Sequence, residues 1–198
     1  ALDAKQIERI VLTRPAVEAD EENLGFLPGE ADEKVAPYFA PYMQILEKYF
    51  GKGEVECLIK NGVIVAQPLA FIRGHTFENA MVILDEAQNT TPKQMKTILT
   101  RIGEFGKIVV DGDLTQCDLP RARLKGGVNG LVDAIRRFRN TAGFGFVHFV
   151  KADIVRSGLC QRIVEGYADD TLAVAQQIGA TAVDSVYGGM LDVAPASE

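Results

Sequence analysis

Two apolar runs of strand length, each followed by acidic residues, constrain the fold of this chain more than any other feature. The runs are Ala80–Leu84 and Ile108–Val110, and neither alternates with polar residues, which is typical of strands covered on both faces. Further apolar runs of three residues lie at Ile10–Leu12 and Val63–Val65, and stretches of helical period separate the runs. This order predicts an α/β fold, a parallel sheet with flanking helices.

The helix that follows Ala80–Leu84 has well-defined ends in the sequence. Thr91–Gln94 predicts a capping box, with Thr as the N-cap, Pro at the first helical position and Gln three residues after the cap. Gly103 is the predicted stop of this helix. Four apolar residues at helical spacing form its predicted inner face: Met95, Ile98, Leu99 and Ile102.

Other parts of the chain carry weaker signals of the same kind. Residues 32–50 have helical period but contain Pro37 and Pro41, which favours a broken helix pair over one continuous helix. Further elements are predicted at three places: a helix over 130–140 with Leu131, Ile135 and Phe138 inward, a strand over 144–150 and a helix over 158–167.

Composition places the chain among ordinary globular proteins. The 21 Lys and Arg against 27 Asp and Glu give a net charge of −6, which argues against a protein coated in basic surface. No apolar run approaches the ~20 residues of a membrane span. Three widely spaced cysteines fit a reducing compartment, so we expect a cytoplasmic protein without membrane contact. We expect one core domain over 1–168 and a partly flexible extension over 169–198.

The acids after the two apolar runs form the candidate site. The carboxyl ends of strands in an open parallel sheet bind ligands, so Asp85 and Glu86 should lie near Asp113 and Gln116. Asp85 can hold Mg²⁺ through water, and Glu86 can orient or deprotonate an attacking water. Gln116 can hydrogen-bond a terminal phosphate or that water. The alternative is that both stretches are ordinary polar turns, since Asp-Gly-Asp is common turn chemistry.

Five strings along the chain resemble signature strings of the PhoH-like ATPases. They are Ile10–Glu18, Leu24–Gly29, Ile83–Pro92, Gly112–Gln116 and Asp153–Arg156. The third and fourth also resemble the Walker B and phosphate-sensing motifs of superfamily 1 helicases. The resemblance covers about residues 1–168 and implies a P-loop NTPase-like sheet, bound ATP and Mg²⁺, and ATP hydrolysis coupled to RNA binding or remodelling. It also implies a homo-oligomer, with a ring as one form, and the family name associates it with phosphate starvation.

The same resemblance implies roles for individual residues. The implied catalytic residues are Glu86, Gln116 and Arg156, and the implied nucleotide-binding residues are Arg14, Asp85 and Asp113. Asp85 would be the metal ligand. Arg156 would act as an arginine finger, which a protein supplies in cis or from a neighbouring subunit.

The chain departs from the family pattern at the phosphate-binding loop. A P-loop needs Gly-x-x-x-x-Gly-Lys-Ser/Thr, whose backbone N–H groups and lysine cradle phosphates. Gly51-Lys52 and Gly106-Lys107 lack both the following Ser or Thr and the upstream glycine. We therefore expect these 198 residues to lack the N-terminal P-loop strand and helix and to bind nucleotide poorly.

Two other functions stay open from the sequence alone. A catalytically silent interaction module would use the fold for assembly only. A metal-dependent nuclease would need acids that converge on ions about 3.5–4 Å apart. Its candidate ligands are Asp85, Asp111, Asp113 and Asp118. Two basic groups are either solvated faces or contacts for a nucleic-acid backbone: Arg121, Arg123 and Lys125, and Arg136, Arg137 and Arg139.

Overall fold

The computed structural model describes residues 1–15, 31–120, 124, 127–149, 153, 155, 157–160 and 162–163. The chain divides into two compact units, Ala1–Thr141 and Ala142–Glu198. Within the described residues, no helix combines the length and the apolar character needed to cross a membrane.

The described residues of the first unit form four strands and four helices. In chain order they are β1 (Arg9–Arg14), α1 (Ala31–Phe50), α2 (Lys52–Lys60), β2 (Ile64–Pro68), β3 (Ala80–Leu84), α3 (Pro92–Leu99), β4 (Lys107–Val110) and α4 (Gly130–Phe138). Two short 3₁₀ turns follow β2 and β3, at Leu69–Ile72 and Ala87–Asn89.

The sheet has the order β2-β1-β3-β4, and every pair of neighbours is parallel. Thr13 of β1 pairs with Leu84 of β3, and Leu84 pairs in turn with Val110 of β4. These three residues are the last or next-to-last of their strands, so the carboxyl ends of the three strands lie side by side. The predicted α/β fold with a parallel sheet is confirmed.

The core lies between the sheet and the two helices α3 and α4. Val82, Leu84 and Ile98 are 0% exposed and belong to one apolar cluster that also includes Met95 and Leu131. Burying a side chain of this size stabilises the fold by about 1.5–3 kcal/mol. The cluster therefore fixes α3 and α4 against β3, next to the ends of the strands.

Helix α3 begins as predicted and ends earlier than predicted. Thr91 and Gln94 form the reciprocal capping box, and Met95 and Ile98 are buried. The prediction of Ile102 as an inner residue and Gly103 as the stop is wrong, because the helix ends at Leu99 and Ile102 is 49% exposed. Residues 101–103 leave the helix to bond the backbone of Phe77: its N–H donates to Arg101 O, and its carbonyl accepts from Gly103 N–H.

The predicted break at Pro37 and Pro41 is also wrong. Helix α1 runs through both prolines to Phe50, and the break falls at Gly51, whose φ of 87° ends α1 before α2 begins. Each proline removes one backbone hydrogen bond from a helix. The burial of Phe39, which lies between them and is 2% exposed, offsets that loss through tertiary packing.

Helix α4 confirms the predicted helix over 130–140. Asn129 caps it by accepting a hydrogen bond from Val132 N–H at 2.9 Å. Leu131 is buried, and Ile135 and Phe138 are half-buried, which places them on the predicted inner face.

In the second unit, the predicted strand over 144–150 is wrong for residues 144–149, which have no regular structure. Apolar residues are not sufficient for a strand, which needs a ladder of backbone hydrogen bonds with a neighbour. Val147 and Phe149 are 81% and 74% exposed. Residues 158–160 and 162–163 are helical as predicted. The rest of the predicted helix and the predicted extension over 169–198 lie outside the described residues.

Candidate nucleotide-hydrolysis site

The ends of β1, β3 and β4 are joined by backbone hydrogen bonds that continue past the strands. Asp85 N–H donates to Thr13 O at 2.9 Å, and Asp111 N–H donates to Leu84 O at 2.8 Å. Ala87 N–H then donates to Asp111 O at 2.9 Å. The two acidic loops are thus held together at one edge, where an open α/β sheet binds ligands.

The acid pair lies beside Arg14 at this edge. One guanidinium nitrogen of Arg14 is 4.0 Å from an Asp85 carboxylate oxygen, and the other is 3.9 Å from a Glu86 carboxylate oxygen. The side chains of Asp85, Glu86 and Arg14 are 17%, 37% and 28% exposed, so water reaches all three. Pairs this long and this accessible contribute about 0–1 kcal/mol, which leaves the carboxylates available to other partners.

Helix α1 contributes two tyrosines to the same place. Arg14 donates a hydrogen bond to the Tyr38 carbonyl at 3.4 Å, and its guanidinium carbon lies 5.4 Å from the centre of the Tyr38 ring. The Tyr42 hydroxyl hydrogen-bonds Asp85. Burial, that hydrogen bond and the negative charge of Asp85 and Asp111 raise the pKa of Tyr42 well above its ordinary value, so the phenol is protonated and donates to the carboxylate.

Glu86 has a left-handed backbone conformation, with φ 52° and ψ 39°. A residue with a Cβ adopts this conformation at a cost of about 1–3 kcal/mol, and it persists where the surrounding structure enforces it. Here the enforcing contacts are the flanking hydrogen bonds of Asp85 N–H and Ala87 N–H. The turn directs the Glu86 side chain toward Arg14 and away from the buried face of β3.

Gln88 links the two acidic loops through its side chain. It is 1% exposed, donates to a Glu86 carboxylate oxygen at 2.6 Å and accepts from Asp113 N–H at 3.0 Å. Its neighbour Asn89 makes a parallel link to Asp118, accepting from Asp118 N–H at 2.8 Å and donating to the Asp118 carboxylate at 3.3 Å. Two consecutive buried amides therefore tie the loop after β3 to the loop after β4.

Asp113 bonds mainly within its own loop. One carboxylate oxygen accepts from Thr115 N–H at 2.8 Å and from the Thr115 hydroxyl at 2.7 Å, and the other accepts from the Gln116 side chain at 2.8 Å. The two predicted residues of this loop, Asp113 and Gln116, thus lie beside Asp85 and Glu86 but are hydrogen-bonded to each other. One N–H of the Gln116 amide is therefore already used within the loop.

Other predicted residues are not brought to this edge or lie outside the described part of the chain. Arg156 and the basic group of Arg121, Arg123 and Lys125 fall outside it. On α4, Arg136 and Arg137 are exposed, and Arg137 pairs with Asp133 at 2.8 Å.

The donors at the edge fit Mg²⁺. This ion usually keeps several waters and takes one or two protein carboxylates together with substrate phosphates, and Asp85 with its partly exposed neighbour Glu86 offers that set. Within the described ranges, no group of three or more His, Cys, Asp or Glu is arranged to hold a metal ion, which weighs against the four-aspartate nuclease site. The 198 residues contain no P-loop sequence for binding the phosphates of a nucleotide.

Sequence reasoning missed Gln88, Tyr38 and Tyr42 as parts of the site. A signal for Gln88 exists in the sequence, because the polar run Gln88–Thr91 directly follows the acids, and its first three members are buried. The tyrosines carry no comparable signal. Their helix reaches the acids through the tertiary fold, and an aromatic residue at helical spacing is typical of a core.

The chain is similar to proteins from several bacteria. A family model described as PhoH-like protein matches residues 1–168. "Protein PhoH" of Escherichia coli (strain K12) is 49% identical over 170 residues, which are 85% of this chain and 47% of that protein. A "PhoH-like protein" of Bacillus subtilis is 46% identical over 167 residues, and one of Synechocystis is 45% identical over 167 residues. These cover 84% of this chain and 51% and 49% of the relatives.

The chain thus spans about half the length of the curated relatives it matches. Its parallel sheet, its acid pair after β3 and its second acidic loop after β4 agree with the fold that the resemblance implies. With the family model matched over residues 1–168, the chain belongs to the PhoH-like family, a family of P-loop NTPase type.

Proposed function

We propose that the whole protein is an Mg²⁺-dependent ATPase. In this proposal, residues 1–198 supply the half of its active site that activates water and senses phosphate. The observation that carries the proposal is the position of Asp85 and Glu86. They follow β3 at the sheet edge, and their flanking residues Leu84 and Ala87 are hydrogen-bonded to the backbone of Asp111 after β4. Glu86 also accepts a hydrogen bond from the Gln88 side chain at 2.6 Å. Two adjacent carboxylates with different contacts suit two different tasks.

In this mechanism Glu86 holds the attacking water and accepts its proton. Its carboxylate is 37% exposed, so a water can reach it, and Gln88 holds one of its oxygens. Asp85 would hold Mg²⁺ through water, and the ion would neutralise charge on the phosphate oxygens. Arg14 then balances the charge of the two carboxylates.

Two further roles complete the proposal. Gln116 senses the terminal phosphate when its amide leaves Asp113, to which it donates at 2.8 Å. Arg156 neutralises charge on the leaving phosphate as an arginine finger, from the same subunit or from a neighbour in a homo-oligomer.

The test uses an extended protein, defined as residues 1–198 preceded by a Walker A strand, loop and helix. Glu86→Gln removes the base but keeps the side-chain shape and the Gln88 hydrogen bond, so hydrolysis should fall about 10²–10⁴-fold with nucleotide affinity retained. The fall corresponds to about 3–5 kcal/mol of barrier. Asp85→Ala should instead weaken binding of Mg²⁺-nucleotide itself. Wild-type turnover in Glu86→Gln places the base elsewhere.

A nucleotide titration separates this function from the two alternatives. Binding that appears when residues 1–198 are extended supports the ATPase. If neither form binds nucleotide, the chain is an interaction module. Metal-dependent nucleic-acid cleavage without nucleotide supports the nuclease.

The proposal extends to the setting of the reaction. The exposed Arg136 and Arg137 on α4 are candidates for contacts with an RNA backbone, because phosphates dominate nucleic-acid affinity. Loss of ATPase stimulation by RNA in an Arg136→Glu, Arg137→Glu variant is the expected result, and an unchanged response excludes this surface of α4.

Cys57, Cys117 and Cys160 are free thiols, which suits the cytoplasm.

A further inference from the structure

The side chain of Gln88 has a role in the fold that its burial alone does not explain. At 1% exposure it is among the least accessible polar side chains of the described chain, yet both of its contacts are to residues of the candidate site. A buried amide must satisfy its polar atoms, and here it does so with Glu86 and with the backbone of Asp113. No other described side chain is hydrogen-bonded to the Glu86 carboxylate.

The chemistry of the two partners determines which way the Gln88 amide points. Asp113 N–H can only donate, so the atom that faces it is the Gln88 oxygen. The NH₂ group then faces Glu86, whose carboxylate can only accept when ionised. The two bonds therefore reinforce one orientation, and the amide transmits the position of the loop after β4 to the carboxylate after β3.

Gly112 leaves the space that this bridge needs. A Cβ at Gly112 would lie 2.5 Å from the Gln88 amide oxygen, 3.0 Å from Leu131 Cδ2 and 3.1 Å from Ala87 N. Such contacts are closer than van der Waals distance, so a side chain at 112 would displace the amide. Gly112 lies between Asp111, which accepts from Ala87 N–H, and Asp113, which donates to Gln88.

We propose that Gln88 is a positioning residue that holds the Glu86 carboxylate in place and couples it to the Asp113–Gln116 loop. This inference rests on the proposed function, since Glu86 is its catalytic base. A displacement of that loop when Gln116 engages phosphate moves Asp113 N–H, and through Gln88 it moves the Glu86 carboxylate. The base is thus aligned with the attacking water in response to the terminal phosphate.

The main variant is Gln88→Met, which keeps length and burial and removes both hydrogen bonds. In the extended protein we expect kcat to fall about 10- to 100-fold with KM for nucleotide within about twofold, because misplacing a reacting group by about 1 Å costs that much. Gly112→Ala should lower kcat in the same way, because its Cβ displaces the Gln88 amide without any substitution of Gln88 itself. A general loss of structure would also raise KM and lower the folded fraction.

Asn89→Leu is the matched control. Asn89 is 4% exposed, lies next to Gln88 in the chain and bonds Asp118 through its side-chain amide nitrogen and oxygen. Its side chain is not hydrogen-bonded to the Glu86 carboxylate, and its backbone N–H, which the substitution keeps, donates to Glu86 O at 2.9 Å. We expect it to leave kcat within about threefold of wild type. An Asn89→Leu loss equal to that of Gln88→Met would mean that loop tethering alone matters, and it would overturn the proposal.

A second measurement needs no hydrolysis. In residues 1–198, hydrogen exchange at Asp113 N–H should be slow in the wild type and fast in Gln88→Met, which offers no acceptor for it. Fast exchange in the wild type shows that the bridge does not form. In the kinetic test, an inactive extended wild type overturns the proposed function and the inference together. An active wild type with an equally active Gln88→Met overturns the inference alone.

Discussion

Replacing Gly130 with alanine should destabilise the protein, although alanine is the better helix former. Gly130 is the first residue of α4, and its N–H donates to Thr90 O at 2.6 Å. A Cβ there would lie 2.7 Å from Thr91 O and 2.9 Å from Met95 Cβ, and it would also contact the Thr90 hydroxyl. Thr90 is 0% exposed and donates to Ala87 O at 2.7 Å, so it has no solvent to move into.

The expected magnitude combines three effects. Overpacking costs about 1–3 kcal/mol, and displacing the Thr90 hydroxyl from its acceptor costs about 0.5–1.5 kcal/mol. Better helix propensity offsets up to about 1 kcal/mol. The free energy of unfolding should therefore fall by about 0.5–4.5 kcal/mol.

Gly53→Ala is the matched control, in the first turn of α2. A Cβ at Gly53 would meet nothing within 4 Å, so alanine there should stabilise the protein by about 0.4–1 kcal/mol. The assay is urea unfolding of residues 1–198 followed by circular dichroism. At a slope of about 2 kcal/mol/M, the midpoint should fall by about 0.2–2.2 M for Gly130→Ala and rise slightly for Gly53→Ala. A rise in both variants would refute the crowding at α4.

Two more predictions concern the site. Burial and Asp85 raise the pKa of Tyr42 above its ordinary 10.0, so folding favours the protonated phenol. The contribution of the Tyr42 hydroxyl to stability is therefore complete below pH 10 and is lost as pH rises through the higher pKa of the folded state. Unfolding midpoints of Tyr42→Phe and wild type should therefore converge above pH 10, and a constant difference would contradict this assignment. If Arg156 acts between subunits, mixing inactive Arg156→Ala and Glu86→Gln forms of the extended protein should restore some hydrolysis, whereas normal hydrolysis by Arg156→Ala alone excludes the finger role.

The candidate site shows which of its features the local sequence can predict. Asp85 and Glu86 follow an unbroken apolar run, and Asp111 and Asp113 follow another, so parallel pairing of those runs was enough to predict that the acids share one edge. Their detailed contacts were beyond sequence reasoning. The Asp113 carboxylate can bind either a ligand or its own loop. Its hydrogen bonds to Thr115 and Gln116, which are only two and three residues away, compete with binding to a ligand.

By itself the sequence determined the α/β class, the parallel strands and the capping box at Thr91, because each of these depends on contacts between residues close in the chain or on a repeated pattern. Only the tertiary structure decided where weaker elements end. The continuity of α1 through its prolines follows from packing around Phe39, and the early end of α3 follows from backbone bonds to Phe77. The bridge through Gln88 joins residues 25 apart in sequence, and no local propensity encodes such a contact.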